Sequence, residues 1–152
     1  MTKKEHTASV SAINLDVSKK HAIEIGNFIR GRTLDKAKIL MGEVMIKKTA
    51  VPFKIFNMDV GHKKGKIAAG RYPVKAATRI LGLLNSAESN AEDKGLDVDA
   101  LYVAEFIANK GTGSVHHGRR RGREMKRTHL KIVLEEKEVK KKVENPKEAK
   151  KK

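Results

Sequence analysis

The sequence predicts an α+β fold carrying a long basic β-hairpin arm. Three observations predict it. Helical apolar periodicity is confined to residues 19–95, strand alternation flanks that block on both sides, and a long glycine- and arginine-rich connection separates the last two strands. Helices and strands segregated in this way argue against a wound parallel sheet, in which they would alternate.

The first strand is expected at residues 9–15, where alternation is weakest. Ser18 is placed to cap a helix over residues 19–30, with Ala22, Ile25 and Ile29 on one face and Gly31 as its stop. Thr33 can cap a second helix, in which Ala37, Leu40, Met41, Val44 and Met45 recur at helical spacing, and Pro52 is expected to end it. Residues 51–72 read as irregular chain punctuated by glycine. Pro73 suits the first turn of a third helix, whose stripe is Ala77, Ile80, Leu81, Leu84, Ala87 and Ala91, closed by Gly95. The period then changes to two: Tyr102, Ala104, Phe106 and Ala108 alternate with Val103, Glu105 and Ile107, and Leu130, Ile132 and Leu134 mark the last strand. Residues 1–136 are expected to form a single domain. Residues 137–152 are rich in Lys and Glu and are expected to be a tail, mostly disordered when free.

The chain has 152 residues and no cysteine, which excludes disulfides, thiolate zinc sites and a cysteine nucleophile and points to a reducing, cytoplasmic setting. No apolar run approaches the roughly 20 residues of a membrane span, and the first six residues lack the apolar stretch of a signal peptide. No membrane partner is expected. With 34 Lys and Arg against 18 Asp and Glu the net charge is +16, so a polyanionic partner is expected. The charge is segmented: residues 54–79 carry +6, residues 80–109 carry −5, and residues 110–131 carry +7. This pattern predicts two anion-facing surfaces, with Glu92, Asp93, Asp97 and Asp99 turned away from phosphate.

The connection at residues 109–128 is about twenty residues long where hairpin loops usually have two to five. Val115 and Met125 are its only sizeable apolar residues, so it has no core of its own, and four glycines let it bend. An extended ladder of ten residues would reach roughly 33 Å, against a radius of gyration of about 15 Å for a globule of this size. Lys110, His116, His117, Arg119, Arg120, Arg121, Arg123, Lys126 and Arg127 are its candidate RNA-binding residues. Arginine suits that role because its guanidinium grips phosphate bidentately and stacks on bases. On the body the candidates are Lys19, Lys20, Arg30, Arg32, Lys54, His62, Lys63, Lys64, Lys66, Arg71 and Lys75; the last six run from a glycine-punctuated loop into a helix start, itself an anion site.

No enzyme signature stands against this. Residues 65–71 only mimic the spacing of a phosphate loop, without its Lys and hydroxyl. His116 and His117 are adjacent but lack an HExxH setting, and Asp97 and Asp99 are explained by a turn. No catalytic residue, metal site or cofactor is expected.

Several runs resemble the large-subunit ribosomal protein L-twenty-two family in its archaeal and eukaryotic form, whose eukaryotic name is L-seventeen. They are Val51-Pro52-Phe53-Lys54, Asn57, Val60-Gly61-His62-Lys63, Gly70-Arg71-Tyr72-Pro73, the stretch from Asn85 to Glu92, Lys94-Gly95-Leu96-Asp97-Val98-Asp99, Asn109-Lys110-Gly111 and Gly122-Arg123. They occur in order across residues 9–138, and the segment 51–72 distinguishes this form from the bacterial one. In the arm, Arg119-Arg120-Arg121-Gly122-Arg123 lacks the proline and alanine common in the family. The resemblance implies three helices on a three-stranded antiparallel sheet, binding to large-subunit ribosomal RNA, and a role in early assembly. It also implies an arm lining the polypeptide exit tunnel beside ribosomal protein L-four, in reach of the nascent polypeptide. Any Mg2+ would be bound only through the ribosomal RNA. The rival reading is an architectural DNA-binding protein with a basic β-arm. Such arms often carry an apolar wedge, which residues 119–123 lack.

Overall fold

The computed structural model describes residues 6–136; the expected tail lies outside the described residues. The elements run β1 (Thr7–Leu15), α1 (Lys19–Ile29), α2 (Leu34–Met45), β2 (Val51–Pro52), β3 (Gly70–Arg71), α3 (Val74–Glu92), β4 (Leu101–Lys110) and β5 (Thr128–Glu136). β1, β5 and β4, in that order, form an antiparallel sheet. The α+β class, the three helices and the three-stranded sheet are therefore as expected. None of the helices is long and apolar enough to cross a membrane, among the described residues.

The helices cover one face of the sheet. α1 lies on β4, α3 on β1 and β5, and α2 against α3. The stripe of α3 is buried at Ala77, Ile80, Leu84, Ala87 and Ala91 and meets Leu130, Ile132 and Leu134 of β5 in one core. α1 approaches the sheet at Gly26: a Cβ there would come within 2.9 Å of Phe106 Cγ, so no larger residue fits without displacing the ring. The turn after α1 then bonds to the rim of β4, Gly31 N donating to Val103 O (2.8 Å) and Val103 N to Arg32 O (2.9 Å). That pairing occupies a strand edge otherwise open to another chain.

Four local expectations are corrected. α2 ends at Met45, well before Pro52, where the chain turns through Lys47 at φ 60°. β4 does not alternate throughout: a bulge between Val103 and Glu105 resets the register, so Val103 and Phe106 both face the core. Residues 53–69 are irregular, as expected, but the two ends of the segment pair. β2 pairs with β3, and Phe53 N donates to Ala69 O (2.9 Å) and Lys63 N to Ala68 O (3.0 Å) inside that pair. Finally, the regular ladder stops at the Lys110–Thr128 pair instead of extending along the arm. Glycines and arginines offer none of the cross-strand apolar pairs that would hold a longer one.

Replacing Gly26 by Ala is expected to destabilise the fold by about 1–3 kcal/mol through overpacking on Phe106. Thermal unfolding of the free protein checks this; an unchanged melting temperature would show that the α1–β4 contact is loose.

Candidate nucleic-acid interface

Beyond Lys110 and Thr128 the chain continues as a narrow ribbon. Gly111 N donates to Arg127 O (2.9 Å), Met125 N to Ser114 O (2.8 Å) and His116 N to Arg123 O (3.0 Å). A single 3-10 turn, Gly118–Arg120, closes it. The strands cross closely at Gly113, where a Cβ would stand 2.7 Å from Met125 O. At the base, Asn14 ties the ribbon to β1. It sits at φ 54° in a register shift of that strand, and its side-chain oxygen accepts from Thr112 N (3.1 Å) while its carbonyl accepts from Arg127 Nη1 (3.3 Å).

This anchoring brings the arm base over the starts of two helices. An open cleft of about 640 Å³ is walled by Asp16, Ser18 and His21, by Pro73, Val74 and Lys75 at the start of α3, and by His116 and Glu124 to Arg127 of the arm. A smaller recess of about 330 Å³ joins Ser18, Lys19 and Lys20 to Lys110, Gly111, Lys126 and Arg127. No acidic residue occupies the first turn of either helix, and neither Ser18 nor Pro73 supplies a side-chain cap. Apart from Val74 N, which donates to Tyr72 O (2.9 Å), the first amides of these helices lack a side-chain cap and lie beside lysines, a setting suited to anions.

Arg71 stands 5.8 Å from the Phe53 ring, Lys63 5.8 Å from Tyr72, and His21 meets Phe53 edge-on at 5.6 Å. These contacts join the 54–75 loop to the cleft. The body and arm clusters, expected as two surfaces, thus meet at the arm base. Burial, with Arg71 and Lys126 nearby, pushes the His21 imidazole below its ordinary value and favours its neutral form.

Not every candidate converges there. Lys54, His62, Lys64 and Lys66 are exposed on the loop. Arg119, Arg120, Arg121 and Arg123 are exposed at the arm tip with no ion-pair partner among the described residues, and His117 is exposed beside them. His116 turns into the cleft, so the two histidines part. Arg30 and Arg32 lie at the far end of α1, about 16 Å from its start, where Arg30 Nη2 donates to Phe106 O (2.9 Å) and Arg32 Nε to Phe28 O (2.8 Å). Glu92, Asp93, Asp97 and Asp99 are all exposed around the far end of α3, about 28 Å of helix from the cleft. No group of three or more His, Asp or Glu side chains among the described residues could hold a metal ion.

Three residues escaped sequence reasoning. Asp16 is paired with Lys75 (2.8 Å) and Arg79 (3.1 Å), and their hydrogen bonds hold its carboxyl at about 2. Glu24 is fully buried and accepts from the amides of Lys54, Ile55 and Phe56. Asn14 anchors the arm from the opposite end of the chain. Each acts through a contact distant in sequence, and none lies in a motif that spacing would reveal.

The α+β scaffold gathers lysines and Arg127 around two helix starts and a basic ribbon, with Asp16 and Glu124 among them, while Glu92, Asp93, Asp97 and Asp99 lie at the far end of α3; this is the charge pattern of a polyanion-facing surface. The sequence pattern of the family described as Ribosomal protein L22p/L17e matches residues 10–135. A protein of Methanoculleus marisnigri named large ribosomal subunit protein uL22 is 49% identical over 111 residues, 72% of each chain. Its namesake in Methanococcus aeolicus is 40% identical over 137 residues, 86% of this chain and 90% of the other. That of Methanosphaera stadtmanae is 40% identical over 139 residues, 87% and 90% of the two chains. The chain belongs to the ribosomal protein L22p/L17e family in its archaeal form, and is a structural protein of the large ribosomal subunit rather than an enzyme.

The Asp16 pairing has a defined pH signature. Because its folded value lies below its ordinary 3.8, Asp16 contributes stability that is complete above about 3.8 and is lost as pH falls through about 2. Asp16→Asn should therefore be less stable than the native protein at neutral pH, with the gap closing in that acid window. The same variant frees Lys75 and Arg79 and should bind RNA several-fold more tightly at low salt. Acid unfolding and RNA titration of both proteins check the two effects.

Proposed function

We propose that this protein binds the large-subunit ribosomal RNA through the cleft at the arm base, assists its assembly, and extends the 109–128 arm to line the polypeptide exit tunnel. The observation that supports this best is the convergence of Lys19, Lys20, Lys75, Lys110, Lys126 and Arg127 around two uncapped helix starts. Phosphates entering the cleft meet backbone N–H donors and ammonium groups together. The exposed loop cations Lys54, Lys63, Lys64 and Lys66 widen the contact, and Arg119, Arg120, Arg121 and Arg123 carry it outward along the arm. Arginines at a glycine-rich tip suit irregular RNA, whose unpaired bases and phosphates both accept a guanidinium.

Ribosomal protein L-four and the nascent polypeptide are the proposed neighbours of the tip, in the cytoplasmic large subunit. Mg2+ enters only as a counterion held by the RNA. No step of chemistry is assigned to any residue.

The test is binding of the full chain to a large-subunit RNA transcript, with duplex DNA as competitor. If six to ten phosphates are neutralised, affinity should fall about 10³–10⁵-fold between 50 and 200 mM salt. Duplex DNA should compete weakly. A nearly flat salt dependence would contradict the cleft as a phosphate site, and equal competition by duplex DNA would favour the architectural DNA-binding reading.

A further inference from the structure

The turn at residues 53–60 is held from beneath by a single buried side chain. Glu24, with no exposed surface, accepts from three successive amides: Oε2 from Lys54 N (3.1 Å), and Oε1 from Ile55 N (2.8 Å) and Phe56 N (2.7 Å). Phe53 and Val60 are buried and Phe56 packs against the core, with Lys20 Nζ 5.6 Å from its ring. Val60 N closes the turn onto Asn57 O (3.2 Å). With its backbone fixed on one side, the turn presents its remaining apolar side chains outward: Ile55 is 60% exposed and Met58 86% exposed.

Exposed apolar groups on an anchored turn cannot contact phosphate. They match the flat, weakly polar face of a nucleobase, and the Met thioether is suited to aromatic faces. In an RNA duplex those faces are stacked away; only an unpaired, splayed base offers one. The neighbouring lysines Lys20, Lys54 and Lys63 favour an RNA over a protein occupant.

We infer that the 53–60 turn is a contact for an unpaired nucleotide of the bound RNA, made by Ile55 and Met58, and that Glu24 is the residue positioning it. This rests on the RNA-binding reading above and assigns a base contact to a loop whose charge alone would predict phosphate contacts.

The experiment uses the full chain and a large-subunit RNA transcript, comparing the native protein, the double variant Ile55→Ser/Met58→Ser, and Glu24→Ala. The double variant changes only exposed side chains and should melt as the native protein does. Its affinity should fall about tenfold, with the slope of log affinity against log salt unchanged, because no phosphate contact is removed. One nucleotide protected by the native protein should become reactive to chemical probing. Glu24→Ala should show faster hydrogen exchange at the amides of residues 54–56 and the same newly reactive nucleotide, and Glu24→Gln, which keeps one acceptor, should lie between.

Native affinity and protection in the double variant would overturn the base contact while leaving RNA binding intact. Unchanged exchange and protection in Glu24→Ala would overturn the positioning role. If Glu24→Ala does not fold, the double variant alone decides the contact. Absence of any RNA binding by the native chain would overturn both readings.

Discussion

The close seating of α1 on β4 sets the rest of the arrangement. Gly26 lets the helix backbone come down onto the Phe106 ring, and that contact fixes both the height and the direction of α1. One end of the helix then hydrogen-bonds through Gly31 and Arg32 to the rim of β4, and the other end faces the point where β4 and β5 leave the sheet. The first turn of α1 and the base of the arm are neighbours because the helix is held at two points, Gly26 on Phe106 and the Gly31–Arg32 turn on β4, which together fix its axis. α3, lying on β1 and β5, brings its own start to the same place. Thr128 completes the junction: it is buried, and its hydroxyl donates to Val17 O (2.8 Å), joining the root of the arm to the entry of α1.

Charge is distributed along this frame by element polarity. Helix starts carry partial positive charge, so clustering lysines there adds to a field the backbone already supplies, and placing carboxylates at the far end of α3 removes them from it. Asp16 and Glu124 are the exceptions inside the cleft, and Glu124 lies 3.5 Å from Lys110 Nζ. Asp16 sits between Lys75 and Arg79 and holds two cations of the α3 face in a defined position. Lys38 and Glu88 similarly join α2 to α3, away from the cleft. The cations of the arm tip have no such partners among the described residues, so their charge is directed outward.

The sequence carried the helices well because each has a stripe of the right period over enough turns: Ala77 to Ala91 is unambiguous, and the structure buries that stripe except at Leu81, which is half-buried. It carried β5 for the same reason. It did not carry the bulge in β4, because Val103 and Ala104 are both apolar and alternation cannot reveal which residue is inserted. The β2–β3 pair was illegible because each strand has only two residues. At the candidate interface the cationic residue types were legible from charge, while their convergence was not. That convergence depends on Asn14 and Thr128, polar residues whose partners lie near the other end of the chain. Glu24 was hidden for a related reason: a buried carboxyl group is explained only by the three amides it meets, some thirty residues downstream.

The central claim is that the cleft at the arm base faces RNA and the acidic end of α3 faces away. A map of the large subunit containing this chain tests it most directly. The account predicts phosphate oxygens within hydrogen-bonding reach of Lys19, Lys20, Lys126 and Arg127, and no phosphate in direct contact with Glu92, Asp93, Asp97 or Asp99. Phosphates packed against those carboxylates without an intervening cation, with the cleft open to solvent, would contradict it.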